Sequence, residues 1–227
     1  MATYGFPDAI AKFEKVSLET WMKSMPSAFK EDKKDDIKLS AEKRELREKY
    51  EKSYEEIQLP SRATAGSAGY DFFLPFSRIA LFPMDTITIP TGIKCLISKP
   101  YMLQLYPRSS HGIKNRISLS NTVGIIDGDY YNNKTNEGHI MVALRNNHTV
   151  EGVPIKRVIN PITNQESVTI DMESSVFKSR VFIIDPGTAF CQGIFVPYGL
   201  TVDDSPRSNI RTGGIGSTTE DKKSAEN

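Results

Sequence analysis

Three short segments of this 227-residue chain bring together groups able to bind phosphate or move a proton. In Pro107-Arg108-Ser109-Ser110 an arginine fork stands beside two hydroxyls and their backbone amides, a grip suited to anionic oxygens. A surface turn is the plainer reading of the same four residues. Gly124-Ile125-Ile126-Asp127-Gly128-Asp129-Tyr130 places two carboxylates and a phenol around a turn that follows an apolar run. An aspartate ending such a run can be partly desolvated and poised to deprotonate a water; Asp beside Gly also caps turns. Arg211-Thr212-Gly213-Gly214-Ile215-Gly216-Ser217-Thr218 offers glycine amides that can converge on phosphate oxygens, flanked by hydroxyl donors. It is not a P-loop, having no lysine and no helical pattern after it, and a flexible tail accounts for it as well.

Other chemistries are poorly served. His111, His139 and His148 are scattered, and Cys95 and Cys191 stand far apart in apolar surroundings without zinc-ligand spacing. The cysteines read as reduced core residues of a cytoplasmic protein. Twenty-nine Lys and Arg against twenty-eight Asp and Glu leave a formal charge of +1, which argues against a nucleic-acid-coating protein but not against a small anionic ligand. No run approaches the roughly 20 apolar residues of a membrane span, and the N-terminus has no basic and apolar leader pattern.

The elements that must position these groups change character near residue 56. Residues 1–55 read as a charged helical extension. Ala9 to Met25 carries Ile10, Phe13, Val16, Leu18, Trp21 and Met22 and is expected as a short helix ended by Pro26. Leu46, Tyr50, Tyr54 and Ile57 form a second helical stripe, with Ser40 as its N-cap. The extension is read as a solvated helical arm docked on the body, or else as a partner-binding arm. Over 56–204, short β-branched and aromatic runs alternate with Gly, Pro, Asn and Ser clusters, which predicts an all-β sandwich or barrel. Residues 147–180 form an excursion with two β-like runs around Asn160–Gln165, expected as a surface hairpin dispensable for folding and chemistry. Residues 205–227 read as a flexible tail.

Taken in order, Ser67-Ala68-Gly69-Tyr70-Asp71, Pro107–Ser110, Asn121–Tyr130, Gln192-Gly193-Ile194-Phe195-Val196-Pro197 and Gly213–Thr218 resemble the five motifs of the homotrimeric dUTPase family, from about Ile57 to Thr218. The third is the most discriminating. The resemblance implies a jelly-roll-like β-barrel, a homotrimer with active sites at subunit boundaries, and hydrolysis of dUTP to dUMP and pyrophosphate with Mg²⁺ held by the triphosphate. By the same resemblance Asp127 would activate the attacking water. Asn121 and the backbone at Ile125 and Ile126 would read the uracil, Gly124 and Met141 would contact substrate, and Tyr130 would lie against the deoxyribose and exclude a 2′-hydroxyl. Arg108, Ser109, Ser110 and Gln192 would bind phosphates. Asp71 would support the metal's water shell or the arginine of the second motif. Gly214, Gly216, Ser217 and Thr218 would close over the triphosphate as a lid, with Arg211, or alternatively Arg207, on the γ-phosphate.

Four departures stand out. Ile215 replaces the lid aromatic, and Arg211 lies one residue nearer the glycines than usual. Gly138 follows Tyr130 only after seven intervening residues, and the 147–180 segment is long. Extra segments near that place occur in some phage-encoded relatives as partner surfaces, which is compatible with a phage or prophage source. Two rival readings share the fold. A dCTP deaminase would need a catalytic Glu near Ala143, in the strand after the third motif, where this chain has none. A dUTP-binding regulatory protein would act through the insert or the N-terminal arm and bind without turnover.

Overall fold

The computed structural model describes residues 9–25, 41–159 and 166–206. Among them fourteen strands and four helices follow one another in this order: β1 (Ala11–Lys15), α1 (Leu18–Ser24), α2 (Ala41–Glu55), β2 (Ser61–Arg62), β3 (Tyr70–Phe73), β4 (Ile79–Leu81), β5 (Thr86–Pro90), β6 (Ile93–Ile97), β7 (Tyr101–Pro107), α3 (Ser109–Asn115), β8 (Ile117–Leu119), β9 (Gly124–Ile126), β10 (Met141–Asn146), β11 (Ile155–Ile159), β12 (Glu166–Ile170), α4 (Ser175–Lys178), β13 (Phe182–Ile184) and β14 (Ala189–Pro197). The Ser40 cap, the Asn160–Gln165 turn and everything expected of Arg207 to Thr218 lie outside the described residues.

Alternation of side chains decides which face each strand buries. In β6, Ile93, Cys95 and Ile97 are buried while Lys94 and Leu96 are less so; β7 buries Leu103 and Leu105, and β10 buries Val142 and Leu144. These faces meet Phe72, Leu74 and Phe190 in one core. The main sheet has the order β2-β3-β14-β7-β9, and a second runs β5-β10-β8; pairs β1-β6, β4-β13 and β11-β12 complete an all-antiparallel architecture. The all-β class expected from the sequence is the one observed. Because β14 inserts between β3 and β7, strands remote in sequence become neighbours, as in jelly-roll arrangements.

The segment Ala9–Met25 departs from its expected helix. Ala11–Lys15 is a strand paired along its length with β6, and Phe13 turns inward against Tyr70, Phe72 and Phe195. The free edge of β6 supplies ladder hydrogen bonds that outweigh a helical apolar spacing. The helix starts only after Ser17, whose hydroxyl accepts from the Thr20 amide at 3.2 Å. The second stripe does form α2, which packs against the segment that runs from β1 into α1. Trp21 Nε1 donates to the Tyr50 carbonyl (3.0 Å), the Tyr54 hydroxyl donates to the Val16 carbonyl (2.8 Å), and the Lys15 ammonium donates to the carbonyls of Tyr54 and Glu55 (3.1 Å each).

The 147–180 segment carries the hairpin β11-β12, and its base is closed by Asn146, whose amide donates to the carbonyls of Leu81 (2.9 Å) and Arg180 (2.8 Å). Its second half belongs to the body: Phe177 on α4 is buried and its ring lies 5.9 Å from that of Phe82. Among the described residues no helix is long and apolar enough to cross a membrane.

Candidate active site

Strand β7 is the spine of the site. On one side it pairs with β14, placing Gln192 opposite Tyr106, and β14 in turn sets Gln192 opposite Asp71 of β3. Pro107 ends β7, and Arg108 stands in extended backbone before Ser109 opens α3. Asp71 and Arg108, far apart in sequence, therefore meet: Arg108 Nε lies 3.3 Å from Asp71 Oδ1, with side chains 36% and 14% exposed. Arg108 Nη1 also reaches the Ala189 carbonyl at 3.5 Å, and Gln192 Nε2 donates to the Pro107 carbonyl at 3.4 Å. Ser67, Gly69, Asp71, Arg108, Ser109 and Gln192 line a cleft of 370 Å³. A Cβ at Gly69 would come within 2.8 Å of Gln192 Oε1, so a larger residue there would displace the Gln192 amide. The wall formed by the first motif is held by Arg62, whose Nη1 donates to the carbonyls of Ala65 (2.8 Å) and Ser67 (3.1 Å). Ser110 is the next residue of α3 and is exposed.

The third motif lies on the other side of β7. Strand β9 pairs Gly124 with Leu105, Ile125 with Gln104 and Ile126 with Leu103. Gly124 is buried, Ile125 is 46% exposed, and Asn121 is exposed in the turn before the strand. Continuing that register puts Asp127 beside Met102, six positions from Arg108. At about 3.3 Å per residue the two are separated by roughly 20 Å of sheet, more than their side chains can bridge. Within one chain, then, Asp71, Arg108, Ser109 and Gln192 come together, and Asp127 stands apart from them.

An aspartate after an apolar run can be partly desolvated or can cap a turn; on the single chain Asp127 is exposed at the start of the Gly128–Tyr130 turn, and among the described residues β9 is the edge strand of its sheet. Its carbonyl accepts from the Tyr130 amide at 3.1 Å, which closes the 3-10 turn Gly128–Tyr130. Tyr130 is buried. Its hydroxyl donates to the His139 carbonyl (2.9 Å) and accepts from Asn136 Nδ2 (2.8 Å), so the phenol points inward. Met141, half-buried, starts β10 opposite Pro90.

Two of the three histidines, His111 and His139, serve packing. His111 anchors α3 under Phe182 (4.9 Å) with Nδ1 3.4 Å from the Phe190 carbonyl, and burial lowers its pKa. His139, buried, accepts the Gly92 amide on Nε2 at 2.8 Å; burial lowers its pKa to about 4 and keeps it neutral. Burial raises the pKa of both cysteine thiols, so neither is a ready nucleophile.

Sequence reasoning missed two residues, Arg62 and Glu137. The Glu137 carboxylate accepts from the Ser17 amide (3.1 Å), the Ser17 hydroxyl, the Thr20 hydroxyl (2.6 Å) and the Lys94 ammonium (3.2 Å). Burial raises its pKa, but those hydrogen bonds outweigh burial and bring it down to about 2. A lone glutamate in an Asn-rich loop gave no signal of this. Among the described residues no three His, Cys, Asp or Glu side chains cluster as a metal cage.

Residues 55–158 match the family model described as dUTPase. The deoxyuridine 5′-triphosphate nucleotidohydrolase of Lactococcus lactis subsp. lactis is 32% identical over 163 residues, covering 71% of this chain and 88% of its own length. Its counterpart in Actinobacillus pleuropneumoniae serotype 5b is 44% identical over 93 residues, 40% of this chain and 58% of its own. Among solved structures, the dUTPase from Streptococcus mutans is 32% identical with a TM-score of 0.46, covering 64% of this chain and 90% of that one. The dUTPase from phage phi11 of S. aureus is 21% identical with a TM-score of 0.48, covering 70% and 94%.

Proposed function

This chain belongs to the dUTPase family of dUTP diphosphatases, and from that premise we propose that it works as a trimer in which Asp127 of one chain faces the Arg108 cleft of its neighbour. The register along β7 carries this reading: a phosphate grip and a carboxylate roughly 20 Å apart on one sheet can act on one substrate only if different copies supply them. The triphosphate lies in the cleft, where Arg108, held in line by Asp71, and the donors of Ser109, Ser110 and Gln192 meet its oxygens. Asp127 takes a proton from the water that attacks the α-phosphorus; the bond from that phosphorus to its bridging oxygen breaks, and pyrophosphate leaves with the electron pair.

Asn121 and the backbone of Gly124 to Ile126 read the uracil edge, with Met141 beside them, and a mismatched base leaves those polar groups unpaired. We assign Tyr130, whose hydroxyl is engaged inward, to the sugar, where it excludes a 2′-hydroxyl. We also assign Gly214, Gly216 and Ser217 to the triphosphate and Arg211 or Arg207 to the γ-phosphate. The cleft suits a triphosphate that brings its own Mg²⁺: Arg108 and the neutral donors fit phosphate oxygens, while the one acceptor carboxylate, Asp71, already turned to Arg108, would hold the ion's water shell. Bound there, the ion would neutralise phosphate charge.

Pyrophosphate release from dUTP, compared with dCTP, UTP and dTTP with and without Mg²⁺, tests the reaction. Asp127→Asn should still bind dUTP while losing about 10²–10⁴-fold in turnover. Near-wild-type turnover in that variant would remove Asp127 from the mechanism.

A further inference from the structure

The loop between Tyr130 and Ile140 wraps Tyr130 on several sides. Asn133 Nδ2 donates to the Tyr130 carbonyl at 2.9 Å, Asn136 Nδ2 donates to its hydroxyl at 2.8 Å, and that hydroxyl donates to the His139 carbonyl. The loop folds back through Glu137 and Gly138, both with positive φ (58° and 81°), and a Cβ on Gly138 would meet the Tyr130 carbonyl oxygen at 2.6 Å. The far side of this loop does not face solvent alone. Glu137 receives Ser17 and Thr20 at the start of α1, the Tyr131 hydroxyl donates to the Glu14 carboxylate of β1, and the His139 ring lies 6.2 Å from that of Trp21. Lys94 of β6 completes the joint, donating to Asn132 Oδ1 (2.8 Å) and to Glu137. Every one of these contacts spans a long stretch of sequence and falls on the loop that encloses Tyr130, whose amide closes the turn on the Asp127 carbonyl.

We propose that the N-terminal segment Ala11–Ser24 is a positioning brace for the third motif, gripping the Tyr131–Gly138 loop from behind so that Tyr130 and Asp127 keep their working geometry. The proposal rests on the reading of Asp127 and Tyr130 given above. Glu137, Ser17 and Thr20 are positioning residues: they touch no substrate and act through the loop. Hydrogen bonds to a carboxylate are shorter and stronger than neutral ones, so one acid gathering four donors is a firm joint between segments otherwise far apart in sequence. Small displacements of catalytic groups are costly even when their cause lies away from the chemistry.

The test uses the full-length protein with Glu137→Gln, which removes the charge, and Thr20→Val, which removes one hydroxyl at nearly constant shape. Steady-state hydrolysis of dUTP and UTP is followed well below the unfolding temperature. A brace predicts a fall in kcat for dUTP on the order of tenfold with a smaller change in KM, and a narrower preference for dUTP over UTP. If Glu137→Gln is insoluble, Thr20→Val decides by the same two readouts. Wild-type kcat and wild-type sugar preference, even with a lowered melting temperature, would reduce the segment to a stabiliser and overturn the proposal. Asp127→Asn run in parallel separates the two readings. An active Asp127→Asn overturns the catalytic assignment; an inactive one beside wild-type Glu137→Gln and Thr20→Val overturns the brace alone.

Discussion

Replacing Glu137 by Gln should change how stability depends on pH as well as how the loop behaves. The folded protein holds this carboxylate at about 2 instead of the ordinary 4.5. A group depressed in the folded state contributes stability above its unfolded pKa and loses it as pH falls toward its folded one. At about 1.36 kcal/mol for each tenfold change in proton affinity, the shift amounts to at most about 3 kcal/mol. The side chain is 30% exposed, so solvent screening brings the expectation to roughly 1–2 kcal/mol. Urea unfolding of both proteins at a series of pH values measures this directly. The stability gap between wild type and Glu137→Gln should be full at pH 6 and above, then shrink by about half between pH 5 and pH 3. A gap that stays constant from pH 7 to pH 3 would show that the charge of Glu137 contributes nothing, and that its four donors are satisfied equally by a neutral amide.

Three further outcomes follow from the fold and the proposed site. Replacing 155–170 with a short Gly-containing turn should leave assembly and dUTP hydrolysis intact, because the hairpin carries exposed Ile155 and Val168, whereas Phe177→Ala should cost about 3 kcal/mol in chemical denaturation by emptying the space beside Phe82; an inactive but soluble hairpin deletion would assign the hairpin to the site. Tyr130→Ala, assayed in the cold, should raise kcat/KM for UTP relative to dUTP on the order of tenfold, and an unchanged ratio would rule out the ring as the sugar filter.

Much of the architecture was legible because its periodicity is local. Strands β5, β7, β10 and β14 stand where the runs Thr86–Ile89, Met102–Tyr106, His139–Leu144 and Gly193–Val196 predict them, and Pro107 closes β7. The 3.6-residue stripe from Leu46 to Ile57 likewise became α2 and its buried exit. What failed depends on partners that no local pattern encodes. Ala11–Lys15 became a strand because β6 had an edge to offer. The Asp71–Arg108 pair was offered only by the family resemblance, as one of two roles for Asp71; no local pattern gives it, because it depends on β14 lying between β3 and β7. Asp127 follows an apolar run, which left desolvation and turn-capping both open, and it stands exposed where an edge strand enters a turn. Glu137 reads as one more loop acid until α1 is seen to start on it.

The most direct test of the shared site is complementation between two inactive variants. Asp127→Asn and Arg108→Ala, each expressed alone, should hydrolyse dUTP only at background rates. Co-expressed in equal amounts, they should form mixed trimers in which about a quarter of the sites unite an intact Arg108 from one chain with an intact Asp127 from another, and hydrolysis should return to about that fraction of wild type. Activity that stays at the level of the two parents in demonstrably mixed trimers would place both groups in one chain and contradict the account.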